Sequence, residues 1–491
     1  MISEQIDWQA WFTAASIVTM IALLIQGRIR PHHLFLAVLL LLLVAGIITP
    51  VQAVSGFTST AVLTVGALFV VAEGVRQAGL LTHLDKLLLS RKGGIGATLL
   101  RIMGSTSAMS SFLNNTPIVA MFTPQLQQWS GRIGIPVSKL LIPLSYAAIV
   151  GGTITLIGTS TNLIVSEMMS DRGHAPFGMF QLAWIGIPAT ILVIIWFATI
   201  GHRLLPDREN PAGAPAADYY EANEARVTRA GNRFFERRVF QGNFVFHNPL
   251  GDNNWPSGVY TTRYAMATGT SKTGANVPSG VYRSSNAKQE REQCVTWSNA
   301  LPVLVIVTVM IGVSASGLLP VHWSVIGAAL AILATGRLSL RRVIKAVHVP
   351  VLVVIACALG VGVAMEQTGL ATVMAQSVVH QTSGFGVIAV LAGVYLITNL
   401  LTEMVTNNAA AVLMIPVALS ASSALGMDPQ AVGVTVAVAA SASFLSPIGY
   451  QTNLMVMGPG GYRFTDFMKA GFPVTLILMA VTVGMVSWLW V

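Results

Sequence analysis

Ile157-Gly158-Thr159-Ser160-Thr161-Asn162-Leu163-Ile164-Val165 is echoed by Ile448-Gly449-Tyr450-Gln451-Thr452-Asn453-Leu454-Met455-Val456. Both stretches set Gly, hydroxyl and amide residues inside otherwise apolar chain. Other echoes accompany them. Asn114-Asn115 matches Asn407-Asn408, Gln77-Ala78-Gly79-Leu80 matches Gln367-Thr368-Gly369-Leu370, and Phe177 to Pro188 resembles Phe464 to Pro473. The offset stays between 285 and 293 residues. One echo is chance; a series in order at one offset is a duplication.

The surroundings are those of a membrane chain. Of 491 residues, 54% are apolar and 10% charged, with mean hydropathy +0.68. A soluble enzyme cannot hide so much apolar surface, and disordered or disulfide-rich classes are excluded. Of the 28 Lys and Arg, 11 fall in residues 206–297. This polar loop divides a first membrane repeat, 1–205, from a second, 298–491. The net charge of +9 reads as basic cytoplasmic loops rather than as nucleic-acid binding.

Apolar runs of near-spanning length lie near 11–28, 33–50, 60–80, 139–168 and 180–204, then near 299–317, 322–336, 350–368, 430–457 and 468–490. Lys and Arg are absent before Arg28, so no secretory signal peptide is evident. Two more apolar segments, about 94–129 and 385–425, are broken in the middle by polar clusters. The first break contains Ser110-Ser111-Phe112-Leu113-Asn114-Asn115-Thr116-Pro117, and its second arm, 116–129, is short for a span. Either segment reads as two poorly delimited spans or as a re-entrant hairpin, which needs protein or water to cover its irregular backbone. Pro117 and Pro416 suit breaks or helix starts near these clusters.

Five spans are an odd number, so the second copy enters the membrane inverted. The basic residues agree. Arg28, Arg30, Arg76 to Arg101, Arg132, Lys139, Arg203 and the central loop fall on one face, with Arg337, Arg341, Arg342, Lys345, Arg463 and Lys469; Arg172 alone lies opposite. That face is cytoplasmic, both termini are outside, and a bacterial inner membrane is expected. The fold class is an all-α polytopic membrane protein of two inverted repeats, each with five transmembrane helices and one re-entrant hairpin.

Inverted repeats with matching breaks point to a secondary transporter whose site forms where the breaks meet. Helix ends stopped inside the membrane offer N–H groups to anions and carbonyls to cations. Neutral Asn and Thr complete either shell without burying a charge. Asn114-Asn115 with Gly158-Thr159 is the first candidate half-site, and Asn407-Asn408 with Gly449-Tyr450 the second. The blander reading of each is polar glue between helices. Glu403, matched to Ser110 by the echoes, can ligate a cation, carry a proton, or pair with a nearby base. Arg101 can attract an anion or snorkel to the membrane edge, and Glu73 and Glu366 read as interface charges. Gly360-Val361-Gly362 reads as close helix packing. Enzyme signatures are missing: no HExxH, no Cys/His ligand spacing, no GxSxG and no P-loop. The central loop repeats Pro256-Ser257-Gly258-Val259-Tyr260 as Pro278-Ser279-Gly280-Val281-Tyr282. Residues 221–240 are charged and suit a helix, and the loop reads as a small cytoplasmic domain or a linker.

The paired breaks with Gly-Thr-x-Thr-Asn and Gly-Tyr-Gln-Thr-Asn resemble the divalent anion/sodium symporter family of the ion transporter superfamily. The stretch from Glu403 to Tyr462 is similar to its sulfate-type permeases. The resemblance implies a sodium-coupled symporter of a small inorganic or organic anion, working as a homodimer with scaffold domains and elevator-like transport domains. It implies sodium at Ser110, Asn114, Asn115 and Gly158, and again at Glu403, Thr406, Asn408 and Gly449. Asn115, Thr116, Thr159 and Asn408 would face the anion, with Tyr450 beside them. Asn114 and Asn407 stand where the family's tips carry Ser, and Ala409 stands where a second Thr is usual. Tyr450 replaces a small hydroxyl. That missing Thr favours sulfate over a dicarboxylate. The alternative is a proton-coupled anion carrier or a cation/proton antiporter using Glu403.

Overall fold

The computed structural model describes residues 7–26, 29–78, 94–208, 297–336, 338, 340–382 and 386–491. The central loop's repeat and its charged stretch at 221–240 lie outside them. All regular structure among the described residues is helical. The first half runs α1 (Trp8–Gln26), α2 (Pro31–Val44), α3 (Pro50–Ser55), α4 (Thr60–Gln77), α5 (Ile95–Ser110), α6 (Asn115–Ile133), α7 (Leu141–Gly152), α8 (Ser160–Asp171) and α9 (Ala183–Thr199). The second runs α10 (Trp297–Ser316), α11 (Val321–Ala334), α12 (Leu340–Ala346), α13 (Val349–Gln367), α14 (Leu370–Thr382), α15 (Val387–Met404), α16 (Asn407–Leu425), α17 (Pro429–Ser441), α18 (Gln451–Met457) and α19 (Phe464–Trp490). Among the described residues, five helical stretches are long and apolar enough to cross a membrane: Pro50–Gln77, Val349–Gln367, Val387–Met404, Asn407–Leu425 and Phe464–Trp490. The chain is a multi-pass membrane protein.

The spans expected at 139–168 and 430–457 are not continuous. Each is a helix, an irregular segment and a second helix: α7, 153–159, α8, and α17, 442–450, α18. At 1.5 Å per residue, the 12 residues of α7 reach about 18 Å, short of a hydrocarbon core of about 30 Å. Only the two arms together cross. The backbone gap between them must be covered by protein, and it is: every residue of α7 is buried, as are Thr153, Leu156, Ile157 and Thr159.

The polar breaks at 111–114 and 405–406 are confirmed as breaks. The arm after the first is α6, 19 residues, or about 28 Å. Shortness therefore does not distinguish a hairpin from two spans. Both α6 and α16 end the same way, on a left-handed glycine whose N–H caps the last turn: Gly134 to Ser130 and Gly426 to Ser422, with φ of 69° and 64°. Pro117 sits in the first turn of α6, where its missing N–H costs nothing. Pro416 lies well inside α16, away from the break. Helix α14 was not anticipated, because 13 residues fall below a spanning window.

The core sits around α5, α7, α15, α16 and α17. Helix α5 packs on α7 and α15 on α17, while α16 lies against α8, α13 and α14. Outside this, α4 packs on α11 and α2 on α13. The Gly360 segment is a close approach: a Cβ there would lie 2.4 Å from Leu39 of α2. Large apolar side chains such as Leu40, Val44, Val51, Trp184 and Ile191 stay exposed at the perimeter, where a bilayer would cover them.

Candidate functional site

The irregular segments are built by the same bonds twice. Asn162 Nδ2 donates to the carbonyls of Gly152 (3.2 Å) and Thr155 (2.9 Å), and Asn453 Nδ2 to those of Ser443 (2.9 Å) and Ser446 (3.2 Å). Each amide replaces the helical partners that the broken turn has lost. Neither Asn was singled out from sequence, although both lie in the echo itself. Gly158 and Gly449 are close approaches. A Cβ on Gly449 would lie 2.0 Å from Ser443 Oγ and 2.6 Å from the Thr402 carbonyl oxygen, and one on Gly158 would lie 2.5 Å from the Gly152 carbonyl. Backbone cannot yield as a side chain does. Gly449→Ala is therefore expected to push α15 off the break and cut transport at least about tenfold, with about 1–3 kcal/mol of destabilisation. Flux and thermal unfolding of the purified protein check this, and wild-type values for both would contradict the packing described.

The tips carry a second repeated pattern. Ser110 Oγ lies 2.6 Å from Asn115 Oδ1 and 2.8 Å from the Ala148 carbonyl oxygen. Thr402 Oγ1 lies 3.0 Å from Asn407 Oδ1 and 2.6 Å from the Ala440 carbonyl oxygen. In each triad one hydroxyl, with a single proton, lies against two acceptor oxygens, so lone pairs are left over. This corrects the register. Asn115 corresponds to Asn407, not Asn408, and Ser110 to Thr402, not Glu403. Asn114 and Thr406 are the matching N-caps of α6 and α16. The place of the second Thr shifts with it: the position matching Thr116 is Asn408, an amide where the first tip has a hydroxyl, and Ala409 lies one residue further into α16.

Across the interface the halves exchange contacts. Asn115 Nδ2 donates to Tyr450 Oη at 2.5 Å, and Tyr450 also hydrogen-bonds with Thr159. Thr116 Oγ1 donates to Gln451 Oε1 at 3.2 Å. On the other side, Ser160 Oγ and Thr161 Oγ1 both donate to Asn408 Oδ1 at 3.1 Å. Each tip thus meets the start of the short second arm of the opposite half, α18 for the first tip and α8 for the second. Asn115 is fully buried, and Thr159 and Tyr450 are nearly so. The N-caps Asn114 and Thr159 make no side-chain cap to α6 or α8. A cleft lined by Val65, Phe69, Phe112, Asn114, Gly158 and Ser160 opens onto this spot from α4. In the second half α13 packs on α16.

Glu403 is neither exposed to that cleft nor paired with a base. Its Oε1 accepts the N–H groups of Phe444 and Leu445 at 2.8 Å, and its Oε2 those of Ser446 (2.9 Å) and the Ser443 hydroxyl (3.1 Å). The carboxylate is the chain's own anion in the amide turn of the second break. Arg101 turns back onto the Ala97 carbonyl at the far end of α5 from the tip. Glu73 bonds Arg76 on its own helix, and Glu366 bonds Arg172, tying α13 to α8. Glu167 of α8 accepts from Thr60 of α4, with His322 of α11 at 3.8 Å.

At one end of the core, Lys139 Nζ reaches the carbonyls of His202 (3.1 Å) and Leu205 (2.6 Å) and the Asp207 carboxylate (3.2 Å). Arg208 pairs with Asp466 at 2.9 Å, and Ser138 takes up the backbone of Pro206 and Arg208.

Comparisons with known proteins agree with this architecture. A Synechocystis protein described as an uncharacterized transporter is 28% identical, over 97% of this chain and 96% of its own length. Sodium/sulfate cotransporter 1 of Chlamydomonas reinhardtii is 38% identical over 41% of this chain, a match that spans 24% of that protein. The crystal structure of the Alcanivorax borkumensis YdaH transporter superposes with a TM-score of 0.53 at 15% identity, covering 89% of this chain and 87% of that one. The sequence profile described as citrate transporter matches residues 20–439. The chain is therefore a transporter and not an enzyme, and it belongs to the citrate transporter family, a grouping in keeping with its resemblance to divalent anion/sodium symporters.

Proposed function

We propose that this chain is a sodium-coupled symporter of a small divalent anion, sulfate foremost, that works by alternating access between two inverted repeats. The single observation that carries it is the exchange of contacts at the centre, where Asn115 meets Tyr450 and Asn408 meets Ser160 and Thr161. Neutral amides from both halves converge there beside uncapped helix starts, the arrangement that holds an anion in a medium where a fixed charge is costly. The two oxygen triads, Ser110–Asn115–Ala148 and Thr402–Asn407–Ala440, are the sodium sites. Asn115 and Asn407 turn their oxygens to the cation, and Asn115 turns its nitrogen to the anion side. Sodium and substrate then stabilise one another through a shared amide, so anion affinity depends on sodium.

In this reading α5–α9 and α15–α19 form the transport body, and α1–α4 with α10–α14 the scaffold of a homodimer. On the same reading the second repeat is inverted, both termini are outside and 206–297 is cytoplasmic, which the placement of Lys and Arg along the sequence supports. The Glu403 alternative is disfavoured because both of its oxygens are engaged by backbone N–H groups, which suits a fixed anion better than a proton carrier.

Purified protein in liposomes decides the matter. Labelled sulfate is expected to accumulate under an inward sodium gradient and to fall to background when choline replaces sodium. Accumulation driven equally well by a proton gradient without sodium would refute the coupling.

A further inference from the structure

Tyr450 holds an unusual place. It is the N-cap residue of α18, as Thr159 is of α8, so the two occupy matching positions in the two halves. Their side chains differ greatly in size, yet they meet. The Tyr450 ring crosses from the second half to reach Thr159 and the amide nitrogen of Asn115. It therefore stands between the uncapped starts of α6 and α8, beside the cleft that Asn114 and Gly158 line. A threonine at 450 would leave that space empty.

The amides around it share an orientation. The oxygens of Asn115, Asn407, Asn408 and Gln451 all accept from hydroxyls of the protein: Ser110, Thr402, Ser160 with Thr161, and Thr116. Their N–H groups face outward for a ligand, while the hydroxyls that donate to their oxygens keep acceptor lone pairs.

We infer that Tyr450 is a specificity-determining residue that confines the shared site to compact oxyanions. This rests on the symport reading and narrows its substrate class. An extended dicarboxylate needs its second carboxylate where the tyrosine ring stands. A tetrahedral anion needs only the donors on the near side.

The test is competition against labelled sulfate in sodium-driven liposomes, with succinate in tenfold excess as competitor, in the wild type, Tyr450→Thr and Tyr450→Phe. In the wild type succinate does not lower sulfate uptake as unlabelled sulfate does. Tyr450→Thr makes succinate about tenfold more effective, the size of effect a filled or emptied pocket gives. Tyr450→Phe keeps the ring and keeps succinate out, and it carries the test if the threonine variant does not assemble. Succinate competing equally in wild type and Tyr450→Thr, or entering with Tyr450→Phe, overturns the assignment. A wild type that takes up neither sulfate nor succinate under a sodium gradient overturns the symport reading itself, and the selectivity assignment with it; unchanged selectivity in an active variant overturns the selectivity alone.

Discussion

Asn115→Ala abolishes sodium-driven sulfate uptake, lowering it at least about 100-fold, while the protein still inserts and can be purified. The amide is fully buried and joins three parts of the site: the Ser110 triad, the Tyr450 hydroxyl and the start of α6. Truncation removes one oxygen from the cation triad and one donor from the anion side. It also leaves the Tyr450 hydroxyl without its Asn115 partner. A lost hydrogen bond with an unsatisfied partner costs about 1–3 kcal/mol. Two such losses make about 3 kcal/mol, or a factor of about 100 in affinity or rate. Asn407→Ala is the matched case in the second triad and is expected to act chiefly through sodium, raising the sodium concentration for half-maximal uptake. Labelled-sulfate uptake at varied sodium measures both. Uptake by Asn115→Ala within threefold of wild type would remove this residue from the site.

Glu403→Ala is expected to damage the fold before it damages transport. Three backbone N–H groups and one hydroxyl point at this carboxylate. Hydrogen bonds to a charged group are worth about 1.5–3 kcal/mol each, and breaking a buried, charge-assisted cluster from one side costs about 3–5 kcal/mol in all. The purified variant should melt well below wild type or fail to accumulate. Glu403→Gln separates the two roles proposed for this residue. Its amide keeps one oxygen but turns an NH₂ group toward N–H donors, so it too should lose stability. A proton carrier behaves otherwise: the glutamine mimics the protonated acid, folds normally and stops only coupled flux. Thermal unfolding of both variants beside their uptake distinguishes these outcomes. A stable Glu403→Gln that has lost transport would favour the carrier role.

Much of the architecture was legible because duplication leaves its mark in letters. The Gly-Thr-x-Thr-Asn and Gly-Tyr-Gln-Thr-Asn segments mark where the two irregular stretches end and α8 and α18 begin, and the polar clusters at 110–117 and 402–408 became the two tips. The register did not follow, since Asn-Asn occurs at both tips by coincidence of neighbours. The first pair is N-cap and first residue of α6; the second is first and second residue of α16. A hydroxyl five residues before the Asn was the better guide, for it selects Ser110 with Asn115 and Thr402 with Asn407. The surroundings of Glu403 were not legible for a different reason. Its partners are backbone N–H groups, which have no letter in a sequence, so a carboxylate among apolar residues looks like an ion ligand. The broken helices looked continuous because apolar side chains fill both arms and the gap, and hydropathy averages across a turn that hydrogen bonding does not.

The bonds of Lys139, Ser138 and Arg208 have a mechanical consequence. They fasten the chain just before residue 209 to the turn that leads into α7 and to α19. Whatever pulls, binds or cuts the stretch that follows acts directly on the body that holds Asn115 and Thr159. A force on that stretch thereby reaches the permeation machinery without needing a dedicated joint.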